Sequence, residues 1–166
     1  MPYADRFTAT DNLITHLQPI IGPINDAAIL ANYAGFLSVS AITVYELAIK
    51  DIFTEFAQRK HSVFGNFTEK HFARISGHIF IRDITGKHIE LFGSKYRTKF
   101  SSLLTSQELL ELAASGTSIT NSYGNLVQCR HDFVHKGVPT LTVNEVMSTY
   151  EHGKKVLHCL DGAMRR

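Results

Sequence analysis

The sequence predicts an all-α fold, a helical bundle of about five to six helices around one long central helix. Three observations carry that expectation. Apolar residues recur mostly at spacings of three and four along the 166 residues, the period of a helix with one buried face. The stretch AAILANYAGFLSVSAITVY, residues 27 to 45, has no charged side chain, and a helix that is apolar nearly all round belongs inside a bundle. Apolar residues make up 44% and charged residues 19% of the chain, a balance that supports a core and argues against disorder. The length suits one domain, residues 1–166, with a core of about 25–160 and a short N-terminal segment, 1–22.

Taken in order, the N-terminal segment closes at Gly22 and Pro23. A helix then runs from about Asp26 to about Arg59, with Leu30, Ala34, Leu37, Ala41, Val44 and Ala48 in one seam. Ala34 and Ala41, with Gly35 beside them, are small enough for another helix to approach closely. This stretch nears the roughly 20 apolar residues that span a bilayer. Asn32, Ser38, Ser40, Thr43 and two tyrosines dilute it and Glu46 ends it, so a core helix is expected and no membrane partner. Thr68 offers an N-cap to a short helix in NFTEKHFARI. ISGHIFIRDITG fits a strand or an irregular crossing. From Lys87 to Leu104 the helical period returns, with Ile89, Phe92, Tyr96, Phe100 and Leu103 on one face and His88, Lys95 and Lys99 along its flank. Ser106 caps SQELLELAA, which Gly116 closes.

The next helix starts near Thr117 or Ser118 and ends at Gly137, a residue suited to the left-handed C′ position; Pro139 forbids its resumption. Thr142 and Glu145 form a capping box for the last helix, whose Val143, Met147, Tyr150, Leu157, Leu160 and Met164 face the core.

A net charge of +2 permits an anionic partner without requiring one, so local patches must carry any nucleic-acid contact. The start MPYADRFTATDN lacks the basic region and apolar run of a secretion signal. Cys129 and Cys159 are therefore expected as thiols in a cytoplasmic protein.

The chemistry concentrates in CRHDFVHKG, residues 129 to 137. On a helix at about 100° per residue, Ile119, Tyr123, Leu126, Val127, Phe133 and Val134 form an apolar arc with Arg130 at its centre. A guanidinium cannot shed its charge, so it needs a partner or a surface that leaves its head group reachable. Glu46, on the central helix, is the expected neighbour. His131 and His135 lie four apart, on one face, and the negative end of the helix favours an imidazolium at His135. An imidazole suits proton transfer and a fixed positive charge suits a phosphate. The dipole alone also favours such residues at a helix end, and Arg82 and His88 give a looser R-x5-H elsewhere. HDFVH copies the spacing of H-E-x-x-H with Asp132 for the glutamate, a zinc-hydrolase alternative. The shorter carboxylate misplaces the base, and no third ligand stands out beyond His152 and His158.

YELAIKDIF, Tyr45 to Phe53, on a long early helix, together with the later RHDFVHKG, Arg130 to Gly137, resembles the HEPN superfamily, particularly its stand-alone RiboL-PSP-type members. The resemblance spans about residues 25 to 160. It implies a helical bundle whose R-x4-6-H motif forms the active site of a metal-independent ribonuclease that needs no cofactor. Arg130 then matches the motif arginine, His131 its polar position, His135 its histidine, and Glu46 the acidic residue of the earlier helix, with Asp132 supporting. It further implies a homodimer with two motifs facing a shared cleft, an RNA substrate that is single-stranded or a tRNA loop, and an antitoxin or defence-system partner protein. Dimerisation bears on a geometric point too, because Arg130 and His135 stand about 140° apart around one helix. The candidate RNA-binding residues are His88, Lys95 and Lys99, with Arg97 and Lys136. Some relatives are inactive binding or assembly modules, which leaves a non-catalytic helical module as the alternative.

Overall fold

Asp26 accepts hydrogen bonds from the backbone N–H groups of Ala28 and Ile29 and so opens the longest helix of the protein. The structure is a computed structural model that describes residues 2–74 and 77–165. In order, its helices are α1 (Pro2–Asp5), α2 (Thr8–Ile21), α3 (Ala27–Lys60), α4 (Ser62–Ala73), α5 (Ile81–Asp83), α6 (Ser94–Ser115), α7 (Ile119–Lys136) and α8 (Val143–Met164). A π-helical turn, Ile84–His88, and a 3-10 turn, Ile89–Phe92, continue α5. The described residues form no strand, and the fold is all-α. By length and composition α3 could cross a membrane. Here α2, α4, α7 and α8 all pack on it, and its seam residues Ala34, Leu37, Ala41 and Ala48 are fully buried.

The helices outnumber the five or six expected because the N-terminal segment folds onto the bundle. Tyr3 and Phe7 are buried, and the Phe7 ring meets those of Tyr45 and Tyr150 edge-on at 6.1 and 6.5 Å. Two expected caps fall inside helices instead. Thr68 is buried within α4, which starts six residues earlier where the His61 side chain accepts from the Val63 N–H. Gly65 hid that start: it interrupts the helical pattern because the Gln58 side chain fills its place, 1.7 Å from where a Cβ would stand. Ser106 is exposed in the middle of an unbroken α6. The helix expected from Lys87 begins only at Ser94, after Gly93 takes a φ of 110°. Of the ambiguous ISGHIFIRDITG, Ile75 and Ser76 lie outside the described residues, and the remainder is an irregular crossing that winds into α5. Ser118, Gly137 and the Thr142–Glu145 capping box stand where the sequence places them. Cys129 and Cys159 are buried free thiols.

At the centre, Tyr45 stacks between Tyr123 and Tyr150, with ring centroids at 5.4 and 5.6 Å. Its hydroxyl donates to the Tyr150 carbonyl at 2.5 Å. Room for that hydroxyl comes from Gly153, where a Cβ would stand 2.6 Å away.

His88 belongs to this interior as well and not to an RNA-binding stripe. It is 6% exposed, meets the rings of Phe53 and Phe72 at 6.4 and 5.5 Å, and its Nε2 donates to the His78 carbonyl at 2.8 Å. The π-helical turn that ends at His88 rotates it out of register with α6. Burial holds its imidazole below the ordinary histidine range.

Two outcomes are expected from this packing. Gly153→Ala forces the Tyr45 hydroxyl aside and should destabilise the protein by about 1–3 kcal/mol. Gly124→Ala in α7, where a Cβ meets nothing within 4 Å, should stabilise it by about 0.5–1 kcal/mol through helix propensity; urea denaturation compares the two. The second outcome concerns pH. Because the folded-state value of His88 is depressed, the unfolded chain takes up that proton first. Its stabilising contribution is complete above the unfolded value of about 6.5 and is lost as pH falls towards the folded value. His88→Gln should therefore show a shallower fall in Tm than the wild type between about pH 7 and pH 5.

Candidate active site

The helix that carries RHDFVHKG is fixed at both ends. Ser118 accepts from the Asn121 N–H at its start, and Gly137, with φ 73°, donates its N–H to the Phe133 carbonyl at its finish. Along its length α7 is pinned to α3. The Phe133 ring lies over Gly35, where a Cβ would stand 2.2 Å from the ring, and Phe36 meets Phe133 edge-on at 5.4 Å. Tyr123 stacks on Tyr45 and donates its hydroxyl to the Ile79 carbonyl at 2.7 Å, which ties the irregular crossing to α7. Burial, then the nearby charge of Glu46, pushes the Tyr123 phenol up and keeps it a neutral donor.

Glu46 and Arg130 reach the same turn but do not pair. Glu46 Oε1 accepts the Gly77 backbone N–H at 2.8 Å. Gly77 has a φ of 75°, and a Cβ there would stand 4.0 Å from Arg130 Nη1. The carboxylate is thus taken up by a backbone donor that a reading of side-chain charges passes over. Arg130 is half-buried and forms no ion pair among the described residues.

His131 and His135 are exposed, with ring centroids 4.5 Å apart and planes at 50°. His131 also lines a cleft of about 660 Å³ with Gly77, His78, Phe80, Arg82, Asp83, Gly86 and Lys87. Gly77 therefore links the arginine to the cleft, and His131 links the cleft to His135. No hydrogen bond joins Arg130 to His135 among the described residues.

Asp132, two residues on from Arg130, is buried against its own helix. It receives a hydrogen bond from Gln128 Nε2 at 3.0 Å, and Lys136 Nζ lies 2.7 Å from its Oδ1. Lys136, then Gln128, holds the carboxyl below the usual range, so it stays ionised. Asp132 and Lys136 offset one another at the helix end, with the Lys136 side chain 68% exposed. For the zinc alternative, the paired imidazoles have the spacing, but the described residues contain no group of three histidine, cysteine, aspartate or glutamate side chains placed to hold a metal ion.

The expected RNA-binding stripe does not adjoin the motif. His88 is in the core. Arg97 is ion-paired with Glu90, Lys95 lies over the Tyr96 ring at 4.8 Å, and Lys99 donates to the Arg165 carbonyl at 2.6 Å. Arg165 follows the last turn of α8, whereas the motif adjoins its first, and 22 residues of helix separate the two by about 33 Å. The cations that line the cleft with His131 are Arg82 and Lys87, with the His78 imidazole beside them. The stretch GHIFIRDITGK, with His78, Arg82 and Lys87 against one acid, Asp83, was the signal for them in the sequence.

Among known proteins, no curated protein and no solved structure matches this chain. A family model, RiboL-PSP-HEPN, matches residues 4–165. That span runs from the N-terminal helices, which the resemblance read from residues 25 to 160 left out, to the end of α8. With nearly its whole length matched and an all-helical bundle that presents R-x4-H at the end of α7, the chain belongs to the RiboL-PSP-HEPN family.

Proposed function

We propose that the protein is a metal-independent endoribonuclease that cuts RNA by attack of a ribose 2′-hydroxyl on the adjacent phosphate. The 2′-oxygen–phosphorus bond forms as the bond to the 5′-oxygen breaks, leaving a 2′,3′-cyclic phosphate and a free 5′-hydroxyl. One proton leaves the attacking hydroxyl for a base, and one reaches the departing oxygen from an acid. The reading is carried by the two exposed imidazoles in contact at the end of α7, beside a guanidinium that no described carboxylate neutralises. His135 transfers the proton, His131 acts as its second carrier, and Arg130 offsets charge on the phosphorane. Glu46 positions the site through the Gly77 turn.

A second copy of the chain completes the arrangement. Phe36 and Val134 flank the motif and are 64% and 50% exposed, with Val138 and Ile29 also exposed. An isologous contact across this apolar border brings two motifs together and offsets the angular separation of Arg130 and His135. Unrestrained RNA cleavage harms the cell that makes the enzyme, so the same reading gives it the role of a toxin or antiviral effector held by a partner protein.

With total RNA and tRNA in excess EDTA, the wild type should cleave, while Arg130→Ala and His135→Ala each lower the rate by about 10²–10⁴-fold and His131→Ala by less. Expression of the wild type, but not of His135→Ala, should arrest growth. Intact RNA with the wild type, or unchanged rates in both variants, ends the proposal. Sedimentation equilibrium should give a dimer, and Val134→Asp should shift it to monomer with loss of cleavage.

A further inference from the structure

The arginines of this chain divide by place. Arg6, Arg59, Arg97 and Arg165 are each ion-paired with a carboxylate. Among the described residues Arg74, Arg82 and Arg130 are not, and two of them adjoin the irregular crossing of residues 77–86, Arg82 within it and Arg130 at Gly77. The cleft of about 660 Å³ lies in that crossing, within the range of about 300–1,000 Å³ that small-ligand sites occupy. We infer that it holds the nucleotide next to the scissile bond, with a phosphodiester of single-stranded RNA on Arg82 and Lys87. This rests on the ribonuclease reading and adds the substrate contacts to it.

The chemistry of the walls supports that occupant. Among the described residues Asp83 is the one carboxylate lining the cleft, and it is buried and already 2.7 Å from Lys87 Nζ. The Lys87 side chain is 64% exposed, so its ammonium can meet an anion while keeping Asp83. Arg82 is exposed and held over the Phe80 ring at 4.9 Å, which fixes the guanidinium at the rim. His78 adds a further imidazole. Gly86, where a Cβ meets nothing within 4 Å, leaves a bare stretch of wall for a sugar–phosphate backbone. Continuity with the motif selects a nucleic acid over another polyanion: His131 belongs both to this cleft and to the imidazole pair. A strand entering past His131 thus lays its next phosphate on Arg82. Single strands suit the site because a nucleotide must turn out of a duplex to enter a cleft of this size.

The test is fluorescence anisotropy with a single-stranded oligonucleotide whose riboses are 2′-O-methylated and hence uncleavable. Arg82→Gln should weaken binding by about ten-fold and lower the slope of log affinity against log salt by about 0.7. Lys87→Gln should act in the same direction. Arg59→Gln, at the far end of α3, should bind as the wild type does. In cleavage, Arg82→Gln should raise KM with kcat little changed, because the contact exists before and during the chemical step. If the wild type leaves RNA intact but Arg82→Gln weakens oligonucleotide binding, the cleft stands and the ribonuclease reading falls. If the wild type cleaves and Arg82→Gln alters neither Kd nor KM, the cleft falls and the reading stands. Absent oligonucleotide binding, or equal competition by polyglutamate, also overturns the inference.

Discussion

Tyr45 and Glu46 are consecutive residues of α3, and between them they hold the interior and the site. The Tyr45 ring lies between those of Tyr123 and Tyr150, and its hydroxyl is satisfied by the Tyr150 carbonyl. A buried phenol without such a partner costs about 1–3 kcal/mol, so the position of α8 is set by hydrogen bonding as much as by apolar contact. One residue on, Glu46 turns towards the crossing and takes the Gly77 N–H. Tyr123, stacked on Tyr45, takes the other end of that crossing through the Ile79 carbonyl. A segment with no regular ladder of its own is thereby fixed at two backbone groups by side chains of two different helices, and its cations are presented beside α7.

That arrangement explains how an arginine can sit on an apolar arc without a carboxylate. The guanidinium stays charged at any physiological pH, and full burial without a partner is prohibitive. Arg130 escapes both conditions by being half-buried, with its head group at the Gly77 turn. Glu46 has its oxygen engaged by the Gly77 N–H and forms no ion pair with Arg130 among the described residues. At the end of the same helix, Asp132 is offset by Lys136 and Gln128, and the two imidazoles are left facing solvent. Charge at this helix end is thus sorted, with the acid spent on structure and the bases available.

Four helix ends were legible in the sequence from their local chemistry, whereas the His61 cap of α4 was not. Asp26, Ser118, Gly137 and the Thr142–Glu145 box are local interactions within four residues, and composition near a helix end reports them. The small residue at 35 was legible too, as a place where another helix could approach closely; Phe133 is what approaches. Residues 77 to 93 resisted for a matching reason. Their π-helical and 3-10 turns depart from the 3.6-residue period, so the wheel that placed His88 beside Lys95 assumed a register the backbone does not keep. The expected Glu46–Arg130 pair went astray because opposite charges are visible in a sequence and a competing backbone N–H is not. Arg82 was passed over because the cleft that it lines together with His131 joins residues about fifty apart in the chain.

The modest net charge of +2 then takes on a different meaning. Spread evenly, so small an excess would give an RNA strand no reason to prefer one face. Here acids and bases cancel over much of the surface, through pairs such as Arg6 with Asp51, Lys154 with Asp11 and Lys155 with Glu111. Around residues 77–87 that cancellation is incomplete, with Asp83 the one carboxylate among the described residues against Arg82 and Lys87 in the cleft wall. Attraction to a polyanion follows local potential rather than the total, and over a Debye length of about 8 Å at physiological salt only neighbouring charges count. A nearly neutral chain can therefore carry a local excess of positive charge at one place on its surface, and the cleft that carries it shares His131 with the imidazole pair.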